Sequence, residues 1–236
     1  MPDKQNQSEN KPGSHLPPLP SIRMEKKKLS DSVYNIISDY IVNGQLKPRQ
    51  RLREAEVAEG LNVSRTPVRE AFARLEAQHL LERDATGAYL VSAWNRERLQ
   101  ELASVRSTLE ALAVRLVCST MIQEDFDHLQ NLINQMESAF DRGDYEALIQ
   151  LDIEFHSYLW SKTEHTILND LLDSIKTQVL YFMYLTRPGD EEEYAEMHQA
   201  LLDVIKSKNQ EKAVSLIEEH ILDTAEKAIQ ELEKIS

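Results

Sequence analysis

The chain has 236 residues, 41% of them hydrophobic, enough for one large domain or two of ordinary size with buried cores. No apolar run approaches the ~20 residues that span a bilayer, and the polar, Pro-rich opening from Met1 to Ser21 lacks the apolar stretch of a secretory signal. A membrane or secreted protein is therefore not expected. The lone Cys118 has no internal disulfide partner, which fits a cytoplasmic location. The net charge of -13 argues against a nucleic-acid partner until its distribution is read. Residues 1–92 carry 14 Lys and Arg against 12 Asp and Glu, whereas residues 93–236 carry 13 against 28. Only the front can approach phosphate without strong repulsion.

Residues 1–28, rich in Pro, Ser, Asn, Gln and Lys, read as a disordered tail. Lys26-Lys27-Lys28 either touches phosphate or is simply solvated. The spacing of Val33, Ile36, Ile37, Tyr40 and Ile41 predicts a helix from about Ser30 to Asn43, with Gly44 at its C-cap. A second helix is expected over about Glu54 to Gly60. Ser64 suits the N-cap of a third, from Arg65 to Gln78, with Pro67 in its first turn. Leu80–Arg83 and Ala88–Val91 read as strands joined at Asp84-Ala85-Thr86-Gly87. Helix, helix, turn, helix and hairpin is the order of a winged helix-turn-helix.

From residue 93 onward no strand is apparent. Six helices are expected near 95–120, 122–142, 144–162, 165–186, 190–207 and 209–234. Together they make an antiparallel helical bundle. The predicted fold is mostly α, with a DNA-binding unit over 29–92 and a helical unit over 95–234.

The densest signal is Val63-Ser64-Arg65-Thr66-Pro67-Val68-Arg69-Glu70-Ala71. Arg65 and Arg69 stand four residues apart, so they share a helix face. An Arg fork can grip guanine O6 and N7, or a phosphate. The hydroxyls of Ser64 and Thr66 can donate to phosphate at the helix start. An amphipathic surface helix with incidental arginines is the plain alternative.

This segment resembles the GntR superfamily of transcription regulators. The match runs from about Leu29 to Ser92 and includes the family core SRTPVREA at Ser64 to Ala71. It also includes Leu52, Glu54, Val57-Ala58 and Arg74-Leu75-Glu76. The resemblance implies DNA contacts by Arg65, Thr66 and Arg69, and a wing that enters the minor groove at Gly87. Two positions depart from the family pattern: Arg49 follows Pro48 where a Gly is usual, and His79 replaces the Gly before the first wing strand. Arg49, Arg51 and Arg53 cluster and would add phosphate contacts.

In the acidic half, Asp152 and His156 lie four residues apart on one helix, close enough to share an ion. His198 and His220 fall on two later helices, and a bundle can aim such side chains at one interior point. One oxygen and three imidazoles suit a divalent Zn, Ni, Mn or Fe, with open positions for a small carboxylate. Ordinary helix residues at chance spacing are the alternative. The region from about Arg96 to Leu232 resembles the FCD domain, the ligand-binding half of the FadR-type GntR branch. That domain's signature is Asp-x-x-x-His followed by two separated His, which Asp152, His156, His198 and His220 match in order.

Other polar residues read less specifically. Arg106 either clamps an effector carboxylate or pairs within its helix with Glu110. His165 reads as an exposed cap, and His128 lies outside the ligand pattern. Tyr181, Tyr184 and Arg187 either line a pocket or belong to the core. Asp190 to Glu193 is an acidic helix start.

These readings combine into a DNA-binding regulator, a repressor by resemblance. It would dimerise, read a palindromic double-stranded operator, and respond to a small organic acid at the metal. An enzyme fused to a DNA-binding head is the first alternative, although Glu154 faces away from Asp152 and no other general base is evident. A constitutive DNA-binding protein with a purely dimerising bundle is the second.

Overall fold

The structure is a computed structural model that describes residues 24–186 and 193–235. The front part contains α1 (Met24–Val42), β1 (Arg51–Leu52), α2 (Glu54–Gly60), α3 (Arg65–Ala77), β2 (Leu81–Arg83) and β3 (Tyr89–Val91). Val33, Ile37 and Ile41 of α1 and Val68, Phe72 and Leu75 of α3 are buried, and the two helices pack together. The Phe72 ring meets the edge of Tyr89 at 5.0 Å. Truncating so enclosed a ring to Ala costs about 3–5 kcal/mol.

Helix α1 starts at Met24, earlier than the expected Ser30. Met, Glu and Lys are good helix formers, so Met24–Lys28 extend the helix that the apolar stripe begins. Residues 1–23 of the expected tail lie outside the described residues. The sheet also has a strand that local pattern did not reveal. Arg51 pairs with Leu90, and Leu52 with Tyr89, giving three antiparallel strands in the order β1-β3-β2. Two residues carry no readable period-two alternation, so β1 is specified by its partner.

Both departures from the family's glycines are backbone positions of positive φ. Arg49 has φ 66° and His79 has φ 56°. At the wing tip Gly87 has φ 80°, and Asp84 Oδ1 accepts from the Thr86 and Ala88 amides at 2.8 and 3.0 Å. The tip is thus an Asp-capped turn that needs a left-handed residue.

The back part consists of α4 (Arg96–Val117), α5 (Gln123–Asp141), α6 (Tyr145–Ser161), α7 (Thr166–Thr186), α8 (Glu193–Lys206) and α9 (Gln210–Ile235). These spans follow the six expected helices closely. Asn95 and Asp144 cap α4 and α6 by accepting from the Arg98 and Ala147 amides, at 2.9 and 3.1 Å. Helix α4 packs along α9, α5 lies against α6 and α8, and α7 contacts α4, α6 and α9. Asp190–Glu192 and Arg187 lie outside the described residues.

The two parts touch through α7. It packs against α1, and the buried Tyr181 hydroxyl donates to the Ser92 carbonyl at 2.8 Å. Trp94, in the connection between β3 and α4, meets the Tyr181 ring at 5.6 Å. Tyr181 and Trp94 are therefore packing residues of the joint. Tyr184 instead receives a hydrogen bond from Gln150 at 3.1 Å.

Candidate functional site

Helices α6, α8 and α9 bring Asp152, His156, His198 and His220 to one point inside the bundle. One potential donor atom from each lies within 4.8 Å of all the others. Asp152, His156 and His198 are buried, and His220 is half-buried. His198 Nε2 lies 3.2 Å from Asp152 Oδ1, and His156 Nε2 lies 3.9 Å from the same oxygen. The His156 and His220 rings stack at 5.5 Å, and His198 stands edge-on to both. Phe155 closes on His198 at 4.7 Å.

Burial and the neighbouring charges shift two members of this cluster, Asp152 and His220. Burial opposes ionisation of Asp152, but the nearby His156 and His198 outweigh it and hold its carboxyl well below the usual range. Burial, reinforced by His198 and His156, pushes His220 well below its ordinary pKa and so favours the neutral imidazole. A divalent ion fits this donor set on an observation independent of the residue types. Asp152 Oδ2 and His156 Nε2 are buried with no hydrogen-bond partner, an arrangement that is costly unless something coordinates them.

Behind His156 lies Glu110 of α4. Its Oε2 contacts His156 Nδ1, and its Oε1 accepts from Arg106 Nε at 2.6 Å. Burial opposes the Glu110 charge, yet Arg106 and His156 hold its pKa at about 2. A ligating His commonly presents its second nitrogen to a carboxylate, which fixes the ring's orientation. The sequence paired Glu110 with Arg106 alone. Its readable signal was a carboxylate on the face of α4 that also carries Ala103, Ala113, Val114 and Val117, all buried.

The remaining histidines stand apart from this cluster. His165 is exposed, and its Nδ1 accepts from the Leu168 amide at 3.2 Å, a cap for α7. His128 lies against the Tyr158 ring at 4.1 Å. Glu154 is exposed on the far side of α6 from Asp152 and offers the cluster no base.

On the front part, Ser64, Arg65, Thr66, Arg69 and Gly87 are all exposed. Ser64 occupies the N-cap position with extended backbone, but its side chain makes no capping bond. The helix start therefore keeps an exposed hydroxyl that is not spent on capping. Arg69 is gripped by Glu54 of α2, with Nε 3.2 Å and Nη2 3.1 Å from Oε2. Arg49, Arg51 and Arg53 are not a loose cationic cluster. They pair with Glu82, with Asp84 and Thr86, and with Glu56 respectively, because the sheet and α2 bring carboxylates beside them.

Comparison with known proteins assigns both parts. Residues 29–91 match the gntR family of bacterial regulatory proteins, and residues 101–223 match the FCD domain. The chain is 29% identical over 192 residues to the HTH-type transcriptional regulator YdhC of Bacillus subtilis (strain 168), covering 80% of this chain and 84% of that one. It is 28% identical over 193 residues to McbR of Escherichia coli (strain K12), covering 80% and 87%. The solved E. coli McbR/YncC structure superposes with a TM-score of 0.73 at 26% identity, covering 86% of this chain and 97% of that one. The HTH-type transcriptional repressor RspR of E. coli (strain K12) is 23% identical over 201 residues, covering 84% and 88%. All are described as transcriptional regulators, none as an enzyme. No helix among the described residues is long and apolar enough to cross a membrane. With its winged helix-turn-helix in front and its helical bundle behind, the chain belongs to the FCD-containing gntR family of DNA-binding transcriptional regulators.

Proposed function

We propose that this regulator is a metal-dependent repressor whose DNA binding is controlled by a small organic acid. The observation that carries the reading is the interior cluster of Asp152, His156, His198 and His220, in which Asp152 Oδ2 and His156 Nε2 are buried with no hydrogen-bond partner. Those four residues would hold a divalent Zn, Ni, Mn or Fe ion. When bound, the ion would supply positive charge and open coordination positions for an effector carboxylate. Arg106, one side of which is committed to Glu110, lies close enough to the site to add charge to that pocket.

The DNA-reading unit spans residues 29–92, and the effector-binding and dimerising unit spans 95–234. Ser64, Arg65, Thr66 and Arg69 contact the major groove and its phosphates, and Gly87 carries the wing into the minor groove. A homodimer places two such heads on a palindromic operator in the cytoplasm. Val105 and Leu112 of α4 and Ile167 and Leu171 of α7 are exposed apolar side chains that such a pairing would cover. Effector binding releases the operator by favouring a different placement of the heads, which requires unequal affinity for the two arrangements. The repressor role is supported by the description of RspR.

Elemental analysis of the purified protein, with mass spectrometry of co-purifying acids, tests the site. One metal per chain is expected. Its loss in His198→Ala/His220→Ala, with an unchanged helical spectrum, supports the ligand set. Retained stoichiometric metal in that variant would refute it.

A further inference from the structure

Several arginines on the front part make ion pairs, but one pair has a particular geometry. Glu54 binds Arg69 through Nε and Nη2, at 3.1 to 3.3 Å. This is the side-on edge of the guanidinium. Nη1 makes no hydrogen bond among the described residues, so the end-on edge of Nη1 and Nη2 stays presented to solvent. Arg69 is 68% exposed while Glu54 is 24% exposed, so the carboxylate is the anchored member of the pair. Arg65, one turn earlier on the same face of α3, is exposed and makes no ion pair among the described residues.

These two arginines are therefore prepared for different work. A guanidinium already fixed by one edge loses less side-chain freedom when the other edge binds. Its charge is also balanced by Glu54, so it attracts phosphate in general less than a free arginine does. Arg65 has the opposite properties: full charge and freedom to reach the backbone.

We propose that Glu54 is a positioning residue for base reading. It aims the free edge of Arg69 at the paired acceptors of a guanine, O6 and N7, while Arg65 supplies sequence-independent grip on phosphate. This rests on the DNA-binding reading of α3.

The full-length protein is used to select a duplex from a randomised 30-base-pair library (the length is about three helical turns). Binding to the selected duplex and to a scrambled duplex is then measured against salt. Glu54→Gln and Glu54→Asp should each weaken the selected duplex by about fivefold or more. The scrambled duplex should lose no affinity in either variant, and Glu54→Gln, which frees the Arg69 charge, should bind it as tightly as the wild type does or more tightly. Arg65→Ala should weaken both duplexes alike and lower the log–log salt slope by about 1. Replacing the contacted guanine by 7-deazaguanine should cost the wild type about fivefold and cost Arg69→Ala little.

Equal losses on both duplexes in the Glu54 variants, or no loss at all, would overturn the assignment. So would a wild type indifferent to 7-deazaguanine at every selected position, a result that needs no variant to fold. A wild type that enriches no duplex overturns the DNA-binding reading itself, which is a different failure.

Discussion

Glu110 and His156, 46 positions apart in the chain, meet carboxylate to Nδ1 in the bundle interior. The contact turns Nε2 of the imidazole toward Asp152, and Arg106 braces the carboxylate from its other oxygen. The ring is thus oriented from behind before any ligand arrives.

Replacing Glu110 by Gln keeps the shape and removes the charge that sets this orientation. Metal affinity is expected to fall by about 10- to 100-fold, as for other supports of ligating histidines. Competition with a chromophoric chelator measures it, with circular dichroism as the control for folding. Unchanged affinity would show that Glu110 only neutralises Arg106.

His79 holds a left-handed backbone, φ 56°, at an exposed position. A non-glycine residue there costs about 1–2 kcal/mol, against roughly 0.5–1 kcal/mol of extra chain entropy for glycine. His79→Gly should therefore stabilise the front part by about 0.5–1 kcal/mol in urea unfolding. Gly87→Ala, at φ 80°, should move stability the other way. A destabilised His79→Gly would mean that its side chain carries a contact outweighing the strain.

Asp125 ties the start of α5 to the end of α6. It accepts from Lys162 at 2.6 Å, Tyr158 at 2.9 Å and the Ile122 amide at 3.0 Å. Burial raises its pKa, but Lys162 and these hydrogen bonds outweigh it, so the folded value is lowered. A lowered carboxyl contributes stability above its unfolded pKa and loses it as pH falls through the folded one. Asp125→Asn should cost about 1–3 kcal/mol at neutral pH. The gap from wild type should shrink progressively below the unfolded carboxyl pKa of about 3.9. A gap constant from neutral to acid pH would remove the charge from the explanation.

The Tyr181 hydroxyl joins α7 to the connection between the two parts. Tyr181→Phe keeps the ring against Trp94 but leaves the buried Ser92 carbonyl without this donor. A loss of about 1–2 kcal/mol is expected. Calorimetry should show the front part melting earlier, away from the bundle. A single unshifted transition would show that the α1–α7 packing alone holds the joint.

Local pattern in the chain determined a great deal. The apolar periods and the Gly and Pro punctuation marked six bundle helices, and Ser64 to Ala71 marked the recognition helix. Asp152 and His156 could be placed on one face because four residues of α-helix return to the same side. What the tertiary structure decided is everything that depends on distant segments. Strand β1 exists because Arg51 and Leu52 meet Leu90 and Tyr89. Glu110 supports His156 because α4 and α6 pack together, and Glu54 grips Arg69 because α2 lies against α3. The arginines near position 51, cationic by sequence, are paired once the sheet folds. Periodicity reports the face on which a side chain lies, but the partner opposite that face is set by packing between elements far apart in sequence.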